Sequence, residues 1–205
     1  MKRLHRDDLY GWSVFDASRD IDFHSVLWQR AGVRPRGNVV VDPLPMTDHD
    51  RAHLDALGGV RWIVITNSDH VRDAADLAAA TGAEILGPQG ESAAFPIPCR
   101  RWLGHESEVV PGLNALELHG SKTPGELALV LDGTTLITGD LVRCHEGGRL
   151  CLLPDAKLGN RAEAVQSVRQ LAALSGIEAV LVGDGWPIFR GGGDALRELV
   201  AELAG

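Results

Sequence analysis

Cysteine is scarce: Cys99, Cys144 and Cys151 are the only three in 205 residues. Their number and irregular spacing exclude a disulfide framework and a four-cysteine zinc site. None follows a helix-start signal beside a basic side chain of the kind that lowers a thiol pKa, so no cysteine nucleophile is expected. No apolar run approaches the roughly 18 residues of a membrane span. The opening Met1-Lys2-Arg3-Leu4-His5-Arg6-Asp7-Asp8 turns acidic where a signal peptide would carry an apolar stretch. A cytoplasmic protein is therefore expected. Basic residues are outnumbered, 20 against 28 acidic, giving a net charge of −8. They form no run, so neither nucleic acid nor anionic membrane is an expected partner. What the chain does have is 44% hydrophobic residues, enough for one domain over 1–205 with a sizeable core.

Periodicity gives a strand-first order. Residues 10–15, 21–28 and 38–41 read as strands, the second by alternation of Ile21, Phe23, Ser25 and Leu27 against Asp22, His24, Val26 and Trp28. A helix over 48–57 follows, with Thr47 as N-cap and Gly58-Gly59 as stop. Strand 62–66, helix 71–81 closed by Gly82, and strand 83–86 make a βαβ unit with parallel strands. Prolines 88, 96, 98 and 111 mark 87–112 as loop with a short strand near Trp102-Leu103. Short strands over 113–118, 127–131 and 135–138 come next, the last two joined by the tight-turn pair Asp132-Gly133. Helix 161–174, strand 179–182 and helix 194–203 close the chain. Strands then helix, strand and helix in each half predict an α+β, four-layer αββα sandwich.

Chemistry-bearing residues stand at the C-terminal ends of these strands. Thr66-Asn67-Ser68-Asp69-His70 ends one apolar run, Thr138-Gly139-Asp140 another, and Val182-Gly183-Asp184-Gly185 a third, while Ser121-Lys122-Thr123-Pro124-Gly125 precedes strand 127–131. Loops held by a rigid sheet are where sites usually sit. In this order the segments resemble the metal-binding motifs of the metallo-β-lactamase-fold hydrolases. The first resembles the Thr-His-x-His-x-Asp-His turn, the Lys122 segment the Gly-His-Thr-Pro-Gly motif, Asp140 the bridging aspartate, and Asp184 the last histidine of a Gly-His-Gly turn. The likeness runs through nearly the whole chain.

Carried over residue by residue, the resemblance implies a depleted site. The three histidines of the first metal have no counterpart: an ungapped match sets Ile65 and Asn67 in the places of two and a gapped one sets Asn67 in the first, while Lys122 stands for the third. The second-metal set corresponds to Asp69, His70, Asp140 and Asp184. Three carboxylates and an imidazole form a hard, oxygen-rich set suited to one divalent ion, zinc, manganese or iron. Two functions stay open. In the first, a single ion activates water to hydrolyse a small ester, thioester or phosphoester, with Lys122 and Asp69 as catalytic groups. In the second, Lys122 replaces the first metal's charge in a metal-free Lys/Asp cluster, and the protein binds or regulates without catalysis.

Around these, Asn67, Arg72, Arg143 and Trp186 are candidate substrate contacts, and the two arginines point to a small anionic molecule. Against that stands the ordinary expectation that an arginine is exposed or ion-paired. Phe189 is assigned to the pocket wall or to the core below the last helix. His49-Asp50-Arg51-Ala52-His53 has the spacing of a zinc-protease helix, but with Asp for Glu and no third ligand it reads as a solvated face. His119 reads as a strand-end residue satisfied by the backbone.

Overall fold

The computed structural model describes residues 1–30, 32 and 37–204. Its first sheet runs in chain order, β1 (Lys2–Arg3), β2 (Leu9–Asp16), β3 (Ile21–Trp28), β4 (Val39–Val41), β5 (Trp62–Val64), β6 (Glu84–Pro88) and β7 (Arg101–Leu103). It is antiparallel from β1 to β4 and parallel from β4 to β7. The second half brings β8 (Ser107–Val110), β9 (Leu113–Glu117), β10 (Leu127–Leu131) and β11 (Thr135–Ile137), then a separate hairpin of β12 (Val142–Glu146) and β13 (Arg149–Leu152), then β14 (Ala179–Leu181). The second sheet has the order β14-β11-β10-β9-β8, with β14 parallel to β11. Helices α1 (Asp48–Ala56) and α2 (Ala74–Thr81) belong to the first half, α3 (Arg161–Ala172) and α4 (Gly192–Leu203) to the second.

The two-residue side-chain period of a strand builds the layers. Val39, Val41, Val64 and Leu86 face Leu113, Ala115, Leu127, Leu129 and Ile137 between the sheets. Their alternates Val40, Ile63 and Ile85 pack with Leu54 of α1 and Leu77 of α2. Across the molecule, Leu116, Ala128, Leu136 and Val180 pack with Val168 and Leu171 of α3 and Leu196 and Leu199 of α4. The result is the αββα sandwich that the element order predicts. Among the described residues no helix is long and apolar enough to cross a membrane.

Several expectations hold with shifted ends. The Thr47 hydroxyl accepts the Asp50 N–H at 3.1 Å as N-cap of α1, and Gly82 closes α2 at φ 72°. Asp132 and Gly133 both take positive φ, 47° and 68°, between β10 and β11, as a type I′ turn requires. Other expectations need correction. The helix expected from residue 71 starts at Ala74, because Arg72 adopts a left-handed backbone, φ 44°, which interrupts helical winding. The proline-rich stretch contains β8 as well as β7, pairing with β9 through an irregular register between Glu108 and Val110. Hairpin β12–β13 was not expected, since Arg143, His145 and Glu146 obscure its apolar period.

Candidate functional site

Four strand ends meet at one edge of the sandwich: Asp42 after β4, the 66–70 turn after β5, Asp140 beyond β11 and Asp184 beyond β14. Lys122 reaches the same place from the β9–β10 connection. The sheets are joined just beneath, where Leu127 N donates to Thr66 O at 2.8 Å, and Thr138 N to Leu181 O at 2.9 Å extends the β11–β14 pairing to the same level. Two glycines permit this convergence. A Cβ on Gly139 would lie 2.8 Å from Thr66 Oγ1, and one on Gly183 would lie 2.8 Å from His70 Cε1.

Asp42, absent from the expected set, is the hub of the first half. It accepts from Thr66 N at 2.8 Å and Thr66 Oγ1 at 2.6 Å, and its Oδ2 lies 2.8 Å from His70 Nδ1. The other imidazole nitrogen, Nε2, is 3.3 Å from Asp140 Oδ2. Asn67 uses both ends of its amide, accepting Asp69 N–H at 3.0 Å and donating to Asp140 Oδ2 at 3.0 Å. Lys122 Nζ lies 2.7 Å from Asp69 and 3.0 Å from Asp140. Ile65, at a lost-histidine position in the ungapped match, is fully buried in the helix-side core.

Asp184 has a different environment. Arg143 grips it with a fork, Nε donating at 2.9 Å to one oxygen and a terminal nitrogen to the other, and His145 Nε2 stands 3.6 Å away. Arg143 is thus locked into the wall. Arg72 donates to the carbonyls of His24 at 2.6 Å and Asp42 at 3.0 Å. Trp186 is 62% exposed and outside the cavity lining. Its backbone N–H is fixed on Cys144 O at 2.7 Å. The cavity between these groups measures about 600 Å³ and includes Asp69, His70, Arg72, Lys122, Asp140, Arg143 and Asp184 in its lining.

Burial and charge set the protonation. Burial pushes the His70 imidazolium down, but Asp42 and Asp140 outweigh it against the opposing Arg72, and the net result is up to about 9. Burial would raise Asp140, yet His70 and Lys122 hold it well below the usual carboxylate range. Lys122 loses to burial and gains more from Asp69 and Asp140, so it is raised. Glu126, wholly buried behind Asp140, is lifted to about 7 by burial and by Asp140's charge. Its oxygens accept from Ser121 Oγ at 2.6 Å and Leu141 N at 2.8 Å, which fixes the backbone after Asp140.

The donor set does not fit a divalent ion. Both Asp184 oxygens hold the Arg143 guanidinium, Asp140 Oδ2 faces an ammonium, an amide and an imidazole, and Asp69 faces the same ammonium. His70 has a carboxylate at each ring nitrogen, Asp42 at Nδ1 and Asp140 at Nε2, which favours the imidazolium over the neutral form that a metal would need. Among the described residues no three His, Cys, Asp or Glu side chains converge as a metal would need. In this structure the acids of the expected single-ion site are paired with Lys122 and Arg143.

Other histidines stay out of the cleft. His49 and His119 are exposed, and His53 packs edge-on against Tyr10 at 5.6 Å. The backbone of His119 is satisfied by Ser167, whose hydroxyl accepts its N–H at 2.8 Å and donates to its carbonyl at 3.0 Å. Missed residues had a signal. Asp42 ends the apolar run Val39-Val40-Val41 before a proline, the same strand-end placement that marks Asp140 and Asp184.

An αββα sandwich with acids gathered at its strand-end edge defines the architecture, and the sequence agrees. Residues 1–203 match the family described as the metallo-beta-lactamase superfamily, and the chain belongs to it. A curated relative, the hydroxyacylglutathione hydrolase of Anaeromyxobacter dehalogenans strain 2CP-C, is 35% identical over 133 residues, covering 58% of this chain and 50% of its own. The chain thus spans half the length of that relative. Among solved structures, DIM-1 metallo-beta-lactamase superposes with a TM-score of 0.74 at 15% identity, over 98% of this chain and 96% of that one. ETHE1 from Myxococcus xanthus superposes at 0.62 and 23%, over 85% and 75%. At such identities these two likenesses show the fold alone.

Proposed function

We propose that this chain is a metal-independent member of its superfamily, which binds a small molecule in the strand-end cleft without hydrolysing it through a bound ion. One observation carries the reading: the two buried acids nearest a second metal position, Asp140 and Asp184, are each ion-paired to a cation of the chain itself, Lys122 and Arg143. A metal at Asp184 would have to displace a buried fork and leave the guanidinium uncompensated, at a cost of roughly 3–5 kcal/mol. Lys122 and Asp69 then form a structural ion cluster with Asp140, and Asn67 and His70 orient it. The competing arrangement, one zinc, manganese or iron ion with hydrolysis of an ester, thioester or phosphoester, is disfavoured by the same pairs.

Elemental analysis of untagged protein, with melting curves in chelator and in added Zn²⁺ or Mn²⁺, tests this. The expected result is a metal content far below one ion per chain, no rise in melting temperature with either ion, and no turnover of a hydroxyacylglutathione thioester, the substrate class in the curated relative's name. One ion per chain, with a rise in melting temperature that chelator reverses, would overturn it, because an ion bound only by the folded state stabilises that state.

A further inference from the structure

The cleft is basic although the chain is acidic. Arg19, Arg72, Lys122, Arg143 and Lys157 line it, against Asp69, Asp140 and Asp184, in a chain with a net charge of −8. Two cations serve those three acids: Lys122 stands between Asp69 and Asp140, and Arg143 holds Asp184. What remains is an excess of positive charge on Arg72, Lys157 and Arg19.

Arg72 is the informative member. Its guanidinium has no carboxylate partner among the described residues, being held instead by carbonyls. One terminal nitrogen donates to His24 O and Asp42 O, while the other has only 3.4 Å contacts, to Gly183 O and His70 Nε2. Its backbone is left-handed at φ 44°, a conformation costly for a long side chain and maintained only where the surroundings enforce it. The Phe23 ring stands beside it, with the Arg72 guanidinium carbon 5.7 Å and the Arg19 guanidinium carbon 5.8 Å from the ring centroid. Arg19 is itself exposed and among the described residues has one carboxylate partner, the half-buried Asp16, at 3.6 Å. Lys157, on the short turn Asp155–Lys157, is exposed and has no carboxylate partner among the described residues.

Resting on the metal-free reading, we infer that Arg72 and Arg19, both beside the Phe23 ring, together with Lys157 in the same cavity lining, form a subsite for a small organic dianion, a phosphate monoester or a dicarboxylate. A guanidinium and an ammonium around one cavity match two negative charges, and a guanidinium recognises planar or tetrahedral oxyanions through paired N–H donors. The volume of about 600 Å³ accepts a molecule of metabolite size, and Phe23, Leu44 and Leu153 in its lining supply apolar contact for the carbon skeleton. Lys122 and Arg143 are not part of the subsite, since their charges are already matched.

Calorimetric titration of chelator-treated protein with inorganic phosphate, phenyl phosphate and succinate tests the assignment. Phenyl phosphate or succinate is expected to bind more tightly than inorganic phosphate and more weakly as salt rises, because exposed charges are screened. Whichever of the two binds more tightly identifies the source of the charge. Lys157→Gln and Arg19→Gln, both at exposed positions, are each expected to weaken binding about threefold to tenfold, and Arg72→Gln more than about tenfold, as loss of a charge-assisted hydrogen bond implies. Circular dichroism separates a folding defect of Arg72→Gln from a binding defect, and Lys157→Gln carries the test if that variant fails to fold. No binding of any probe up to about 10 mM, or binding unchanged in Lys157→Gln and Arg19→Gln, would overturn the subsite while leaving the metal-free reading intact. Stoichiometric metal in the untreated protein would overturn that reading instead.

Discussion

Asp140 and Asp184 follow neighbouring parallel strands, β11 and β14, and both are buried, at 7% and 3% exposure; their surroundings differ. Asp140 gathers donors from across the sandwich: His70 and Asn67 come from the turn after β5, Lys122 from the β9–β10 connection. Asp184 is held by Arg143 and approached by His145, both on β12 and so both from its own half. Through their side chains the first acid ties the two halves together and the second closes a local loop, while the backbone on either side of Asp184 meets β3 through His24 N to Gly183 O and Gly185 N to Asp22 O, both 2.9 Å. A similar position at the end of a strand thus serves either as an inter-sheet anchor or as a local latch, and its partners' origin decides which.

The largest effect should come from breaking these buried pairs. Asp140→Asn and Asp184→Asn are each expected to cost roughly 3–5 kcal/mol of unfolding free energy, the range for removing one partner of a buried ion pair, measured by urea denaturation. What separates them is coupling. A double-mutant cycle of Asp140→Asn with Asn67→Ala, across the two halves, should show an interaction above about 0.5 kcal/mol, whereas Asp184→Asn with Asn67→Ala should be additive within about that amount. Equal coupling in both cycles would break the distinction between anchor and latch.

The pH profile comes next and tests the anchor from the proton side. His70 has its folded pKa raised from 6.5 to about 9, so its contribution is fully present below pH 6.5 and lost as pH rises through about 9, amounting to roughly 3 kcal/mol at about 1.4 kcal/mol per pKa unit. Glu126 is raised from 4.5 to about 7. The folded state therefore keeps a proton that the unfolded chain has released, and stability falls between those two values as well. Chemical denaturation from pH 4.5 to 9 should show a decline in both windows, with His70→Gln flattening the upper and Glu126→Gln the lower. A profile in which His70→Gln changes nothing above pH 6.5 would show that the imidazole is not held between two carboxylates.

How much of this arrangement is legible in sequence follows from the distances along the chain. Alternation over Ile21–Trp28, the Asp132-Gly133 turn and the capping Thr47 are local signals, and the elements they mark are present. The strand-end positions of Asp69, His70, Asp140 and Asp184 are legible too, because an apolar run followed by Gly or Asp marks where a strand stops. The pairings are not. Asp42 and His70 are 28 residues apart, and Arg143 and Asp184 are 41 apart, so no spacing rule connects them. An Asp-Pro after an apolar run reads as a turn, which concealed Asp42. The left-handed Arg72 was equally hidden, since local preference favours continuing a helix there and tertiary bonds to three carbonyls prevail.

The smallest predicted effect asks whether the difference between the halves resides in the cleft alone. Each half carries one helix with a side-chain N-cap of the same type. Thr47 accepts from Asp50 N on α1, and Asn160 accepts from Ala162 N and Glu163 N on α3. Removing such a cap exposes orphan N–H groups of the first turn and costs about 1 kcal/mol wherever the helix sits. Thr47→Ala and Asn160→Ala should therefore shift the urea midpoint by similar small amounts, with an unchanged slope and no coupling to Asp140→Asn or Asp184→Asn. If instead only one cap matters, or one couples strongly to Asp140, the halves differ in their general stability, and the asymmetry read at the two aspartates would belong to the whole sandwich.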